Sequence, residues 1–117
     1  MRRAALVALI ILAACGRPSG PYAVLETSKG RLVARLYPDR APKTIVHLKA
    51  LSDGHKPFYD GTVFHRVVPG FMIQGGDSAG TGDGDPAVSV PDEFKGAKFD
   101  RAGLLGMASW GPGTSQT

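Results

Sequence analysis

The chain has 117 residues, 43% of them apolar and 21% charged, which leaves room for one domain and is the balance of a globular rather than a disordered protein. Sixteen glycines and nine prolines favour a turn-rich β architecture over a helical bundle. The formal net charge is +4, but without Arg2 and Arg3 it rests on 12 basic against 10 acidic residues. No Lys/Arg cluster is interleaved with aromatics, so nucleic acid is not expected as a partner.

Met1-Arg2-Arg3 followed by the apolar run Ala4 to Ala14 reads as the charged and hydrophobic regions of a signal peptide, residues 1–14. The run falls short of the roughly 20 residues a membrane-spanning helix needs. It ends in Leu12-Ala13-Ala14-Cys15-Gly16, which resembles the lipobox of bacterial lipoproteins. That resemblance implies acylation of Cys15 and export to a membrane-anchored position on the periplasmic or cell-surface side. Cys15 is the sole cysteine, so no intrachain disulfide can form. Residues 15–21, ending Arg17-Pro18-Ser19-Gly20-Pro21, read as a lipidated tether, and residues 22–117 as the working domain.

Tyr22 to Thr27 and Arg31 to Tyr37 are expected strands, with Ser28-Lys29-Gly30 as the turn between them. Ala41 to Gly54 reads as one amphipathic helix. Pro42 suits its first turn, Ile45, Leu48 and Leu51 recur at helical spacing, and Gly54 suits its stop. The apolar stripe of this helix is expected to plug an end of a barrel. His47 and His55 have no paired ligands at metal spacing and are expected as solvated surface residues.

The most informative stretch runs from Phe64 to Asp77, Phe-His-Arg-Val-Val-Pro-Gly-Phe-Met-Ile-Gln-Gly-Gly-Asp. Two short apolar runs flank Pro69-Gly70, which predicts a β-hairpin. Arg66 in the first run and Gln74 in the second are unusual cargo for a core hairpin. Side chains alternate faces along a strand, so Phe64, Arg66 and Val68 share one face and His65 takes the other. A two-residue turn would set Arg66 opposite Ile73, and a slightly wider loop would set it opposite Gln74. Either register lets a guanidinium and a carboxamide converge beside Phe71 and Met72. An apolar ring next to a peptide carbonyl and N–H is the ligand such a patch suits. An ion pair of Arg66 with Asp60 or Asp77 is the purely structural alternative. His65 is expected in a structural, hydrogen-bonded role.

This stretch resembles the signature of the cyclophilin family of peptidyl-prolyl cis-trans isomerases across Phe64-His65-Arg66 and Phe71 to Asp77. Strand, strand, Ala-Pro-Lys-Thr helix and the Tyr59-Asp60-Gly61-Thr62 turn follow in the family's order, so the resemblance reaches back to about Ala23. It implies a mainly β fold, an antiparallel barrel capped by helix. It also implies an isomerase that acts without cofactor or metal as a monomer on proline-containing polypeptides. Arg66 and Gln74 would be catalytic, and Phe71, Met72, Gln74, Gly80, Ala108 and Ser109 would hold substrate. A non-catalytic lipoprotein module that binds proline peptides is the alternative function.

Gly75 to Asp85 is a glycine-rich loop that fits neither a phosphate loop nor an EF-hand. In the family the portion matching Gly80-Thr81-Gly82 borders the substrate groove. Pro91-Asp92-Glu93-Phe94 reads as a loop or turn. Ala102 to Thr114 resembles the family's Leu-x-Met-Ala-Asn-Ala-Gly-Pro segment, with Ser109 where Asn is usual and Trp110 where a smaller residue is usual. A serine hydroxyl can still bond a peptide but reaches less far. The family pattern continues through further strands and a second helix, so the barrel is expected to be incomplete here and the sequence to be a fragment of a longer product.

Overall fold

The computed structural model describes residues 19–53, 55, 57–84, 89–94 and 96–116. The expected signal peptide, Cys15 and Arg17-Pro18 lie outside the described residues, as do Gly54 and Asp85.

Among the described residues, six strands and one helix follow in the order β1 (Tyr22–Thr27), β2 (Gly30–Arg35), α1 (Pro42–Ser52), β3 (Arg66–Val68), β4 (Met72–Gln74), β5 (Ala108–Ser109) and β6 (Ser115–Gln116). The fold is therefore mainly β, as expected. The β1–β2 hairpin turns through Ser28 and Lys29, with Thr27 paired to Gly30 and Tyr22 to Arg35. Thr27 closes the turn: its hydroxyl donates to the Gly30 carbonyl at 2.7 Å and accepts the Lys29 N–H at 3.1 Å. Ala23, Leu25 and Thr27 are half-buried while Tyr22, Val24 and Glu26 face solvent, the alternation of a one-sided strand. On the open face Glu26 and Arg31 form an ion pair at 2.6 Å.

Helix α1 begins with Pro42, where the missing N–H costs nothing. Ala41 offers no side-chain cap. The Glu93 carboxylate, about fifty residues later in the chain, accepts the N–H groups of Lys43 at 3.0 Å and Thr44 at 2.8 Å instead. The helix ends at Ser52, and the Asp53 N–H donates back to the Lys49 carbonyl at 3.0 Å. The Phe58 N–H then bonds the Leu51 carbonyl at 2.8 Å and leads the chain into the Tyr59–Thr62 turn.

The described residues show the expected strands and helix, and their packing is open. Among the described residues the strands form three two-stranded sheets, β1–β2, β3–β4 and β5–β6. No ladder among the described residues joins the three sheets, and β3 to β6 are only two or three residues long. Helix α1 has no fully buried residue, and its stripe of Ile45, Leu48 and Leu51 is half-buried. The single buried apolar side chain among the described residues is Val90, 4% exposed, which meets Ser115, 3% exposed, through an isolated β-bridge.

Candidate functional site

The β3–β4 hairpin is built around a three-residue loop, Pro69-Gly70-Phe71. The Phe71 N–H donates to the Val68 carbonyl at 3.0 Å, and Gly70 takes φ +73°. Proline at the second position and a positive φ at the third describe a type II turn, which glycine adopts without strain. The loop length decides the register: Val68 pairs with Met72, Val67 with Ile73, and Arg66 with Gln74. The wider of the two anticipated loops is the one present.

Arg66 and Gln74 are thus direct cross-strand partners on one face, where Cβ atoms of such pairs lie about 4.5–5.5 Å apart. Val68 and Met72 form the next pair on that face. Arg66 is exposed, whereas Met72 and Gln74 are half-buried. The structural alternative for Arg66 is not realised. The ion pairs among the described residues are Glu26–Arg31, Lys49–Asp53 and Asp100–Arg101. No ion pair among the described residues engages the Arg66 guanidinium. Phe71 lies in the turn, outside the ladder, and is 79% exposed.

Asp77 is occupied with its own loop. Its carboxylate accepts the N–H groups of Ala79 at 3.0 Å, Thr81 at 2.9 Å and Gly82 at 2.7 Å. The bonds from Ala79 and Gly82, with a smaller share from Thr81, hold the carboxyl below the usual aspartate range. This loop carries Gly80, half-buried, whose N–H bonds the Asp77 carbonyl at 3.1 Å. It also presses Gly82 on His65, where an added Cβ would sit 3.3 Å from the imidazole Nε2.

His65 is half-buried, but Nδ1 is shielded without a hydrogen-bond partner among the described residues. The hydrogen bond expected at Nδ1 is not formed among the described residues, and the Nε2 side of the ring packs against Gly82. His47 also departs from expectation. It is half-buried with Nε2 shielded and unpartnered, since it stands on the same helix turn as the half-buried Leu48. His55 is exposed, as anticipated.

Ala108 and Ser109 form β5, half-buried and exposed respectively. Ser109 pairs with Ser115 and Ala108 with Gln116. The Ser109 hydroxyl donates to the Gly111 carbonyl at 2.6 Å, accepts the Gly111 N–H at 3.1 Å and lies 3.1 Å from the Thr114 hydroxyl. It is committed to its own hairpin turn. The structure brings Arg66, Met72 and Gln74 together; no hydrogen bond among the described residues joins Gly80 or Ala108–Ser109 to them. The site is an open face. Concavities of about 450 Å³ beside Pro42, Val46 and His47 and about 620 Å³ beside Phe58, Asp60 and Thr62 do not include Arg66 or Gln74.

Sequence reasoning passed over Asp92 and Glu93 as a plain turn. Asp92 accepts the Gly113 N–H at 2.6 Å and the Ser115 hydroxyl at 2.7 Å. These two bonds, Gly113 first, hold its carboxyl low. For Glu93 desolvation is the largest single influence and acts upward, but the N–H groups of Thr44 and Lys43 together outweigh it and the carboxyl is also lowered. The signal was two adjacent acids after a proline; nothing local named partners so distant in the chain.

Residues 22–117 match the family described as cyclophilin type peptidyl-prolyl cis-trans isomerase/CLD. The chain belongs to the cyclophilin family. It is 45% identical over 107 residues to the probable peptidyl-prolyl cis-trans isomerase A of Mycobacterium bovis, covering 80% of this chain and 59% of that protein. It is 44% identical over 108 residues to peptidyl-prolyl cis-trans isomerase B of Streptomyces anulatus, covering 80% and 62%. A match of 44% over 96 residues joins it to peptidyl-prolyl cis-trans isomerase-like 1 of Gibberella zeae, covering 79% and 58%. This cyclophilin chain thus spans about three-fifths of the length of these relatives.

Proposed function

We propose that the chain is a peptidyl-prolyl cis-trans isomerase that accelerates X–Pro bond rotation in exported proteins. The observation that carries the reading is an Arg66 guanidinium without an ion pair among the described residues, directly across the strand pair from Gln74. The relatives named as isomerases support it.

Rotation about a peptide bond costs ~18–20 kcal/mol because resonance gives C–N partial double-bond character. An X–Pro bond populates both isomers but exchanges them over tens to hundreds of seconds. No nucleophile, proton transfer or cofactor is needed. The catalyst has to favour a twisted amide whose nitrogen has become pyramidal and regained its lone pair. Arg66, always charged and carrying a fork of donors, hydrogen-bonds that nitrogen and stabilises the broken-resonance state. Gln74, half-buried and so restrained, holds the backbone on one side of the rotating bond. Met72 seats the proline ring, with Phe71 folding over from the turn. A barrier lowered by ~6 kcal/mol corresponds to an acceleration on the order of ten-thousand-fold.

In this reading the three hairpins are parts of one antiparallel barrel, and Ala108–Ser109 hold the substrate backbone beside Gly80. The signal peptide and Cys15 place the domain on a lipid tether outside the cytoplasm, two acyl chains giving firm attachment where one gives marginal attachment. Among the described residues no helix is long and apolar enough to cross a membrane. A second reading, binding of proline peptides without turnover, draws on Ser109, whose hydroxyl is engaged within its own turn.

The test is Arg66→Ala in a protease-coupled assay of a proline peptide. Turnover is expected to fall about a hundredfold or more, the usual cost of removing one preorganised donor, with the far-UV circular dichroism unchanged. Near-normal turnover refutes the role of Arg66. Undetectable turnover in the unaltered chain, with peptide binding retained in titration, selects the second reading.

A further inference from the structure

The hairpin β5–β6 has two residues in each strand, and an isolated hairpin so short does not hold itself in place. Its turn is fixed internally: the Trp110 N–H donates to the Thr114 hydroxyl at 2.9 Å, and that hydroxyl donates to the Gly111 carbonyl at 2.7 Å. Such bonds set the shape of the hairpin but not its position. Position comes from the segment 90–93. The Val90 N–H donates to the Ser115 carbonyl at 2.8 Å. Asp92 then takes the Gly113 N–H with one carboxylate oxygen and the Ser115 hydroxyl with the other. The next residue, Glu93, spends both of its oxygens on the first turn of α1. Two neighbouring carboxylates therefore grip two elements that share no ladder. The only two buried side chains among the described residues, Val90 and Ser115, lie at the same junction.

We propose that Asp92 is a positioning residue for peptide binding: with Glu93 anchored on α1, it holds the β5–β6 hairpin, and so Ala108 and Ser109, at a set place relative to the helix. This rests on the isomerase-family reading of Ala108–Ser109 as substrate contacts. Charge-assisted bonds are about twice as strong as neutral ones. An acid at each arm thus does what a neutral side chain would do weakly. Asp92 touches no substrate and takes no part in the bond rotation at Arg66.

The experiment compares the unaltered chain with Asp92→Ala and Asp92→Asn, reading three quantities. These are amide hydrogen exchange across residues 108–116, kcat and KM in the protease-coupled assay, and Kd for the same proline peptide by titration. Asp92→Ala is expected to speed exchange at Gly113 and Ser115 and to raise KM and Kd about tenfold, a loss of about one charged hydrogen bond, with kcat held. Asp92→Asn, which keeps an acceptor, is expected to recover part of both effects. Unchanged exchange in Asp92→Ala overturns the clip. Faster exchange with unmoved KM and Kd overturns the positioning role. Where Asp92→Ala does not fold, Ser115→Ala removes one arm's bond and carries the same comparison. Peptide binding is measured apart from turnover, so loss of the isomerase reading and loss of this proposal give different patterns.

Discussion

Gly82 offers the sharpest check on the loop that borders the site, because two separate physical terms meet there. Its φ is +88° and a Cβ would lie 3.3 Å from the His65 Nε2. An L-residue in the left-handed region costs about 1–2 kcal/mol. The close approach adds strain of about 1 kcal/mol, the low end for overpacking a filled site. Gly103 isolates the first term: its φ is +81° and nothing lies within 4 Å of a built Cβ. Gly82→Ala is thus expected to cost about 2–3 kcal/mol and Gly103→Ala about 1–2 kcal/mol. Urea unfolding followed by circular dichroism measures both, a slope of about 1–3 kcal/mol/M placing the Gly82→Ala midpoint roughly 1 M below the unaltered chain. The strain falls on His65, next to Arg66, so turnover should drop in Gly82→Ala and stay level in Gly103→Ala. Equal midpoints for the two variants would refute the close packing on His65. Two unchanged midpoints would refute the loop conformation itself.

Acid should undo the same loop. Asp77 has its carboxyl lowered in the folded chain by the N–H groups of Ala79, Gly82 and Thr81. Its stabilisation is therefore fully present above the unfolded value near 3.9 and is lost as pH falls through the lower folded value. Asp77→Asn is expected to lower the unfolding midpoint at neutral pH, the gap to the unaltered chain closing under strong acid; a gap independent of pH counts against the ionised acceptor. Cys15→Ser is expected to move the chain from the membrane to the soluble fraction of expressing bacteria, and to abolish labelling by a tagged fatty acid. A labelled serine variant would place the lipid elsewhere.

Much of the site was legible in the sequence because it is local. Arg66 and Gln74 are separated by a turn, and once Pro69-Gly70-Phe71 is a three-residue loop their pairing follows from strand geometry. Secondary structure was legible for the same reason: β1 is Tyr22–Thr27 as read from alternation, and α1 falls within the expected segment at Pro42–Ser52. The boundaries of β2 moved toward Gly30 because Thr27 closes the turn with its own hydroxyl.

What spacing determined, then, is the element order and the polar pair on one hairpin, both of which depend on near neighbours in the chain, while the family rested on the resemblance of the Phe64–Asp77 run. Only the tertiary structure decided that Glu93 accepts from the first turn of α1, that Asp92 accepts from Gly113 and Ser115 of the last hairpin, and that Asp77 accepts from its own loop. A carboxylate accepts from whichever N–H groups the folded chain brings within 3 Å, and one-dimensional order does not say which those are.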